Sequence, residues 1–401
     1  MPGSEWFGEE ERQQVNEVLK TGVLMRYNWD AKRQGVWKAR LLEEGLRARF
    51  EVDFAHLTSS GTGAFLSALS ALGVGAGDAV ILPTFTFVAS FEAVLALGAV
   101  PILVDVDESL TLDPEAVARA ITPNTKVIMA AHMCGGMADM DALLDISQKH
   151  GISLLEDACQ AIGGSYKGKL LGSIGTIGCF SFDYFRTITC GEGGAILTRE
   201  EDLYRRASGY TDHGHDHKGA DRRAEYPSFI GLNFRISELQ AAVGVAQLEK
   251  LDDIMAVQRH NKAIIKSYLE RIKGMRFRKI LDPQGDNASF LSFFMPDEIQ
   301  AQAVVKQLYE RGVTDAFYWY DNNWHYVHKW DHLKGVKTPA ALPRELRENL
   351  PDYASQDFSQ SDAVLRCCLS ISIQLSWTED EAQKQGKDIA EAVRKVLKGA
   401  R

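Results

Sequence analysis

No apolar run in this chain reaches the roughly 18–20 residues that a membrane span needs. The first residues, Met1 to Phe7, lack the charged-then-apolar layout of a secretory leader. No excess of positive charge is present either. The formal net charge is −9, which argues against nucleic acid as a partner. Cysteine is sparse, with Cys134, Cys159, Cys179, Cys190, Cys367 and Cys368 making six. None forms a CxxC pair, and five lie in apolar or glycine-rich surroundings. They read as reduced, buried thiols of a cytoplasmic protein. Internal repeats and low-complexity tracts are absent.

What is present is a soluble, core-forming composition. Of 401 residues, 45% are hydrophobic and 25% charged, enough for two or three domains. Helical periodicity marks 9–20 and 36–50. Strand-like runs at 79–82, 101–104, 126–131 and 152–155 then alternate with helical stretches at 88–97, 114–121 and 142–150. Short apolar strands separated by helices predict an α/β fold, a mainly parallel sheet covered on both faces. Sites in such sheets lie beyond the carboxyl ends of the strands. Asp157, Phe87 and His132 each follow a strand and are placed there. A helix at 201–208 and a long amphipathic helix at 238–272, capped by Ser237, come next. Strands at 275–280, 289–295 and 313–318, with helices at 298–311 and 378–398, predict a smaller α+β unit. The division expected is a large domain, 1–250, and a small domain, 251–401.

Three stretches carry the chemistry. Ser59-Ser60-Gly61-Thr62-Gly63 precedes an apolar helix. It reads either as an ordinary helix cap or as an anion site built from free N–H groups and the helix dipole. Glu156-Asp157-Ala158-Cys159-Gln160 ends a strand. Gly178–Ala195 holds a strand from Cys179 to Asp183 and a glycine-rich turn at Gly191–Gly194. The histidines at 213, 215 and 217 alternate, but Gly214 interrupts them, so a polar loop is favoured over a metal centre. The aromatic stretch 317–330 is either core or partly turned to a polar substrate.

Together the three stretches resemble the active site of the DegT/DnrJ/EryC1/StrS sugar aminotransferases, and the likeness runs along nearly the whole chain. The resemblance implies the type I fold of pyridoxal-phosphate enzymes, with pyridoxal or pyridoxamine 5′-phosphate as cofactor. It also implies a homodimer with shared active sites. By matched position, Gly61, Thr62, Gly63 and Ser181 would hold the phosphate, and Asp157 would pair with the ring nitrogen. Gln160 would contact the ring hydroxyl and Phe87 would stack on the ring. Asn233 would reach the phosphate from the other subunit. Arg26-Tyr27-Asn28, His132–Gly135, Thr187–Gly194, Asp212–His217 and Phe317–Tyr320 resemble one branch, the 8-amino-3,8-dideoxy-octulosonate transaminases. That likeness implies amination of an 8-keto octulosonate of lipopolysaccharide, with glutamate as amino-acid donor. His132, His215, Tyr318, Trp319 and His325 are the substrate-contact candidates it leaves.

One position departs from the pattern. The family carries its Schiff-base lysine five residues after the serine that corresponds to Ser181. Here that position is Arg186. A guanidinium holds its proton and is a poor nucleophile and base. Lys167 and Lys169 flank a glycine in a surface turn and do not replace the lysine. Arg186 is thus the expected catalytic-position residue of a lysine-to-arginine variant that holds cofactor without turnover. Two other readings stay open: a relative with reworked chemistry, akin to the family's sugar dehydratases, and a cofactor-binding protein that does not catalyse.

Overall fold

The computed structural model describes residues 2–216 and 226–399. Its large sheet has seven strands: β1 (Phe54–Thr58), β2 (Ala79–Pro83), β3 (Val100–Val104), β4 (Thr125–Ala131), β5 (Ser153–Asp157), β6 (Ile177–Ser181) and β7 (Gly194–Thr198). Their spatial order is β1-β7-β6-β5-β4-β2-β3. Only β7 runs against the rest, antiparallel to both β1 and β6. Six strands therefore present their carboxyl ends to one edge.

The strands are short and buried on both sides, as parallel strands between helices must be. The pleat sorts their residues. Leu155 faces one core with Phe65, Val88 and Phe91, under the helices Gly61–Ala71 and Val88–Ala96. Leu154 faces the other with Val117 and Leu143, under Pro114–Ala120 and Met140–His150. The N-terminal helices Glu9–Thr21 and Lys38–Phe50 pack on the Glu238–Glu249 helix.

A second sheet is antiparallel throughout: β8 (Arg276–Phe277), β9 (Phe290–Phe294), β10 (Ala316–Tyr318) and β11 (Cys368–Ser372), in the order β8-β9-β11-β10. Alternation along β9 sends Leu291 and Phe293 to the helices Leu251–Leu269, Glu298–Glu310 and Glu379–Gly399. It sends Phe290 and Phe294 to the core of the first sheet.

The structure differs from the periodicity in two ways. The helix expected at 238–272 is two, Glu238–Glu249 and Leu251–Leu269, divided at Lys250. They serve different partners: the first packs on the N-terminal helices, the second on the C-terminal helix and the second sheet. Strands β1, β7 and β11 were not anticipated. β1 and β11 carry polar groups within five residues, so neither reads as an apolar run, and β7 starts inside the glycine-rich turn expected at Gly191–Gly194. Among the described residues no helix is long and apolar enough to cross a membrane.

Candidate active site

The carboxyl edge of the large sheet gathers the predicted residues into two adjoining groups. The first is a cup. β1 ends at Thr58, whose hydroxyl donates to Ser60 O at 2.8 Å. Ser60 caps the next helix, accepting from Gly63 N at 3.0 Å. That leaves the first-turn N–H groups of Gly61 and Thr62 without an intrahelical acceptor. Ser181, the last residue of β6, closes against them. A Cβ built on Gly61 would lie 2.8 Å from Ser181 Cβ, so only glycine permits this approach. Thr62 is exposed at the rim. Phe234 packs on Gly63, where a Cβ would meet it at 3.2 Å, and Ser59 N donates to Phe234 O at 2.7 Å. Asn233 is therefore one residue from the cup of its own chain. It is exposed, and its Oδ1 accepts from Arg235 N at 3.3 Å.

The second group surrounds Asp157, which is 6% exposed. Its Oδ2 accepts from Ser90 Oγ at 3.2 Å and its Oδ1 from Cys159 N at 3.1 Å. Among the described residues it forms no ion pair. Beside it, Gln160 accepts from Cys134 N at 2.9 Å through Oε1, leaving its amide hydrogens to donate. Phe87 precedes the Val88–Ala96 helix and is half-buried, its ring 5.2 Å from that of His325.

The charge of Arg186 is felt in this group. Its Nε is buried without a hydrogen-bond partner, and among the described residues its side chain has no ion pair. Two neighbours register its charge. Burial raises the Cys159 thiol, Asp157 raises it further, and Arg186 draws it back. Burial and then Arg186 lower His325 to about 3, so His325 is a neutral ring at pH 7. His325 is held through Nδ1 by Asn322 Oδ1 at 3.0 Å.

Residues 6–390 match the model of the DegT/DnrJ/EryC1/StrS aminotransferase family. The chain belongs to this family. It is 37% identical over 326 residues to the 3-amino-5-hydroxybenzoate synthase of Amycolatopsis mediterranei (strain S699), covering 72% of this chain and 82% of that one. It is 39% identical over 266 residues to the L-glutamine:2-deoxy-scyllo-inosose aminotransferase of Micromonospora echinospora, covering 63% of this chain and 61% of that one. Among solved structures, a 3-amino-5-hydroxybenzoic acid synthase matches with a TM-score of 0.81 and 31% identity over 97% of both chains. The Bacillus subtilis protein NtdA with bound pyridoxamine phosphate matches at 0.78 and 25%, covering 97% of this chain and 82% of that one. The fold is the type I aminotransferase fold, and the family is one of pyridoxal-phosphate-dependent sugar aminotransferases.

The residues present fit that cofactor. The glycine-lined cup beside Ser181 matches a phosphate, and a buried carboxylate without a cation matches a protonated ring nitrogen. When bound, the cofactor supplies an electron sink for moving an amino group.

The other candidates stand apart. His132 is buried with both ring nitrogens engaged: Nδ1 accepts from Ala138 N at 3.1 Å, so Nε2 carries the proton to Glu156 Oε2 at 3.0 Å. Trp319 is in the core, donating to Ser370 Oγ at 2.7 Å, although its ring is 5.1 Å from that of His325. Tyr318 donates its hydroxyl to Arg366 O at 2.9 Å. His213 and Gly214 have φ of 56° and 83°, so this segment turns instead of extending. His215 is half-buried there, and His217 lies outside the described residues. Sequence reading missed Ser90, the hydroxyl on Asp157. Its signal was a second hydroxyl one turn after Thr86, which it meets at 3.1 Å.

Proposed function

We propose that this chain binds pyridoxal or pyridoxamine 5′-phosphate as a sugar aminotransferase for an 8-keto octulosonate, in a form that Arg186 leaves with little or no turnover. The observation that carries the reading is Arg186. Its Nε is buried without a partner and its charge acts on Cys159 and His325, at the position matched to the family's lysine. In this reading Gly61, Thr62 and Gly63, with Ser181, hold the phosphate, the donors being the N–H groups of Gly61 and Thr62, since that of Gly63 is taken by Ser60. Asp157 keeps a proton on the ring nitrogen, Gln160 donates to the ring hydroxyl, and Phe87 covers one face. Asn233 completes the cup of a partner subunit in a homodimer. The division at 1–250 and 251–401, a cytoplasmic setting and a place in lipopolysaccharide sugar synthesis belong to the same proposal. Glutamate as donor belongs to the same proposal, beside relatives whose names give L-glutamine as theirs.

A lysine amine can give up and retake a proton near the reacting carbon. A guanidinium cannot do so at neutral pH. The chain as it stands is therefore expected to hold cofactor without a covalent link. Borohydride reduction followed by intact-mass measurement tests this, with Arg186→Lys alongside. Only Arg186→Lys should gain the mass of trapped cofactor, and only it should aminate an 8-keto octulosonate from glutamate. Trapping by the unaltered chain, or equal turnover, would show that another residue supplies the amine. Elimination of a sugar hydroxyl in place of amination would favour the dehydratase-like reading. Cofactor binding without turnover by either form would favour the non-catalytic one.

A further inference from the structure

Gln160, placed above on the ring hydroxyl of the cofactor, does not set its own orientation. Its Oε1 accepts from Cys134 N at 2.9 Å. An amide bonded through its oxygen turns its nitrogen the other way and leaves that nitrogen to donate. The direction of the Cys134 N–H therefore decides where the Gln160 amide points.

Cys134 lies in a turn that needs support. Its φ is 54° and its ψ 36°, and Gly135 follows at a φ of 71°. A residue with a Cβ is strained in this left-handed region, and the conformation persists only where its surroundings impose it. The support comes from the segments around the second sheet. Gly135 O accepts from Asn287 N at 3.1 Å, and Cys134 O accepts from Arg278 Nη1 at 3.3 Å. A Cβ on Gly136 would lie 2.5 Å from Arg278 Cζ, so only glycine lets the guanidinium lie this close to the turn.

Arg278 directly follows β8 and is 7% exposed. Its backbone N donates to Ser292 O of β9 at 3.0 Å. Its Nε donates to Ser109 O at 2.6 Å, and Nη2 is buried without a partner. Among the described residues it forms no ion pair. A buried guanidinium whose partners are neutral carbonyls is costly, and an apolar side chain of similar volume fills such a place at lower cost. What an apolar side chain cannot do is hold the carbonyl of a strained turn.

We propose that Arg278 is a positioning residue for the cofactor: it fixes the Cys134 carbonyl from the second sheet and, through the Cys134 N–H, aims the Gln160 amide at the ring hydroxyl. This role rests on the proposed cofactor site, which gives Gln160 its partner.

Titration of the full chain with pyridoxamine phosphate, read by calorimetry in a double-variant cycle, tests it. Gln160→Ala should weaken binding roughly three- to tenfold, as the loss of one hydrogen bond does. Arg278→Met should weaken it by a similar factor, and the two together by no more than Gln160→Ala alone. The near-ultraviolet band of bound pyridoxamine phosphate should shift equally in the two single variants, because both lose the same donor to the ring oxygen. A general loss of stability would not move that band. Arg278→Lys keeps the charge without the fork. It should show a smaller shift in the same direction, and it takes the place of Arg278→Met in the cycle if that variant does not fold. Factors that multiply in the double variant, or a band that the Arg278 variants leave in place, would overturn the proposal. Gln160→Ala without effect would overturn it too, while cofactor binding itself still stood. Absence of binding by the unaltered chain would overturn the proposed function and this role with it.

Discussion

Glu156 and Asp157 are consecutive residues of β5, and the pleat sends them to opposite faces of the sheet. On one face Glu156 is closed in completely. Oε1 accepts from Ile174 N and Gly175 N, each at 2.6 Å, and Oε2 from Gly172 N at 2.7 Å and His132 Nε2 at 3.0 Å. On the other face Asp157 accepts from Ser90 Oγ and Cys159 N and, among the described residues, forms no ion pair. Both carboxylates are buried, but only one is fully satisfied. A saturated buried carboxylate holds a fold together. An unsaturated one, at the carboxyl edge of a parallel sheet, is held ready for something the chain does not itself contain.

The sharpest way to break this comparison is to exchange each acid for its amide. Glu156→Gln puts an N–H2 group against donors and leaves at least one buried N–H unpaired. A loss of about 3–5 kcal/mol in unfolding free energy is expected by denaturant titration. Asp157→Asn keeps an acceptor for Cys159 N and a partner for Ser90, so its stability should change by less than about 1 kcal/mol. In the Arg186→Lys background the same amide should lower turnover by about a hundredfold or more. If the stability losses were equal, the two faces would not differ in the way described.

A smaller effect follows from pH. Burial pushes Glu156 up, but the hydrogen bonds from His132 and from the backbone N–H groups of Gly175 and Gly172 outweigh it and hold the group below its ordinary 4.5. The unfolded chain therefore binds this proton first as pH falls. The stability Glu156 contributes is complete above about pH 4.5 and is lost as pH drops through its lower folded value. Acid unfolding should show a steep limb below about pH 4.5, and Glu156→Gln should flatten it. An unchanged limb would mean that other carboxylates govern acid unfolding.

Much of this was legible in the sequence, because parallel strands buried on both faces announce themselves as apolar runs. The strand-end positions of Phe87, His132 and Asp157 followed from that alternation. The cup was legible as cap chemistry, and the family resemblance supplied its roles. What escaped was set by tertiary pairing. β11 is a central strand of its sheet, yet its serines alternate with Leu369 and Ile371, and Ser370 serves Trp319 and Ser292. His132 carries a polar ring at a strand end, which reads equally as a substrate contact or a buried support. Only the positions of Glu156 and Ala138 N distinguish the two.

The smallest prediction concerns the two histidines on either side of this strand end. His132 belongs to the saturated face and has no contact with Arg186 that its hydrogen bonds require. His325 belongs to the open face, and Arg186 is the second cause, after burial, of its lowered value of about 3. Arg186→Met removes the charge and keeps much of the bulk. Burial against Phe87 and Trp319 remains, so His325 should titrate higher than before but still below the ordinary 6.5. Because its folded value is lowered, His325 disfavours the folded state as pH falls from 6.5 towards that value, and the variant should feel this less. Following the ring proton resonances by NMR against pH reads the shift directly. A His325 signal that stays in place would put Arg186 outside the open face. Movement of the His132 signal by the same amount would mean that the two faces share one electrostatic environment, and the distinction between Glu156 and Asp157 would lose its basis.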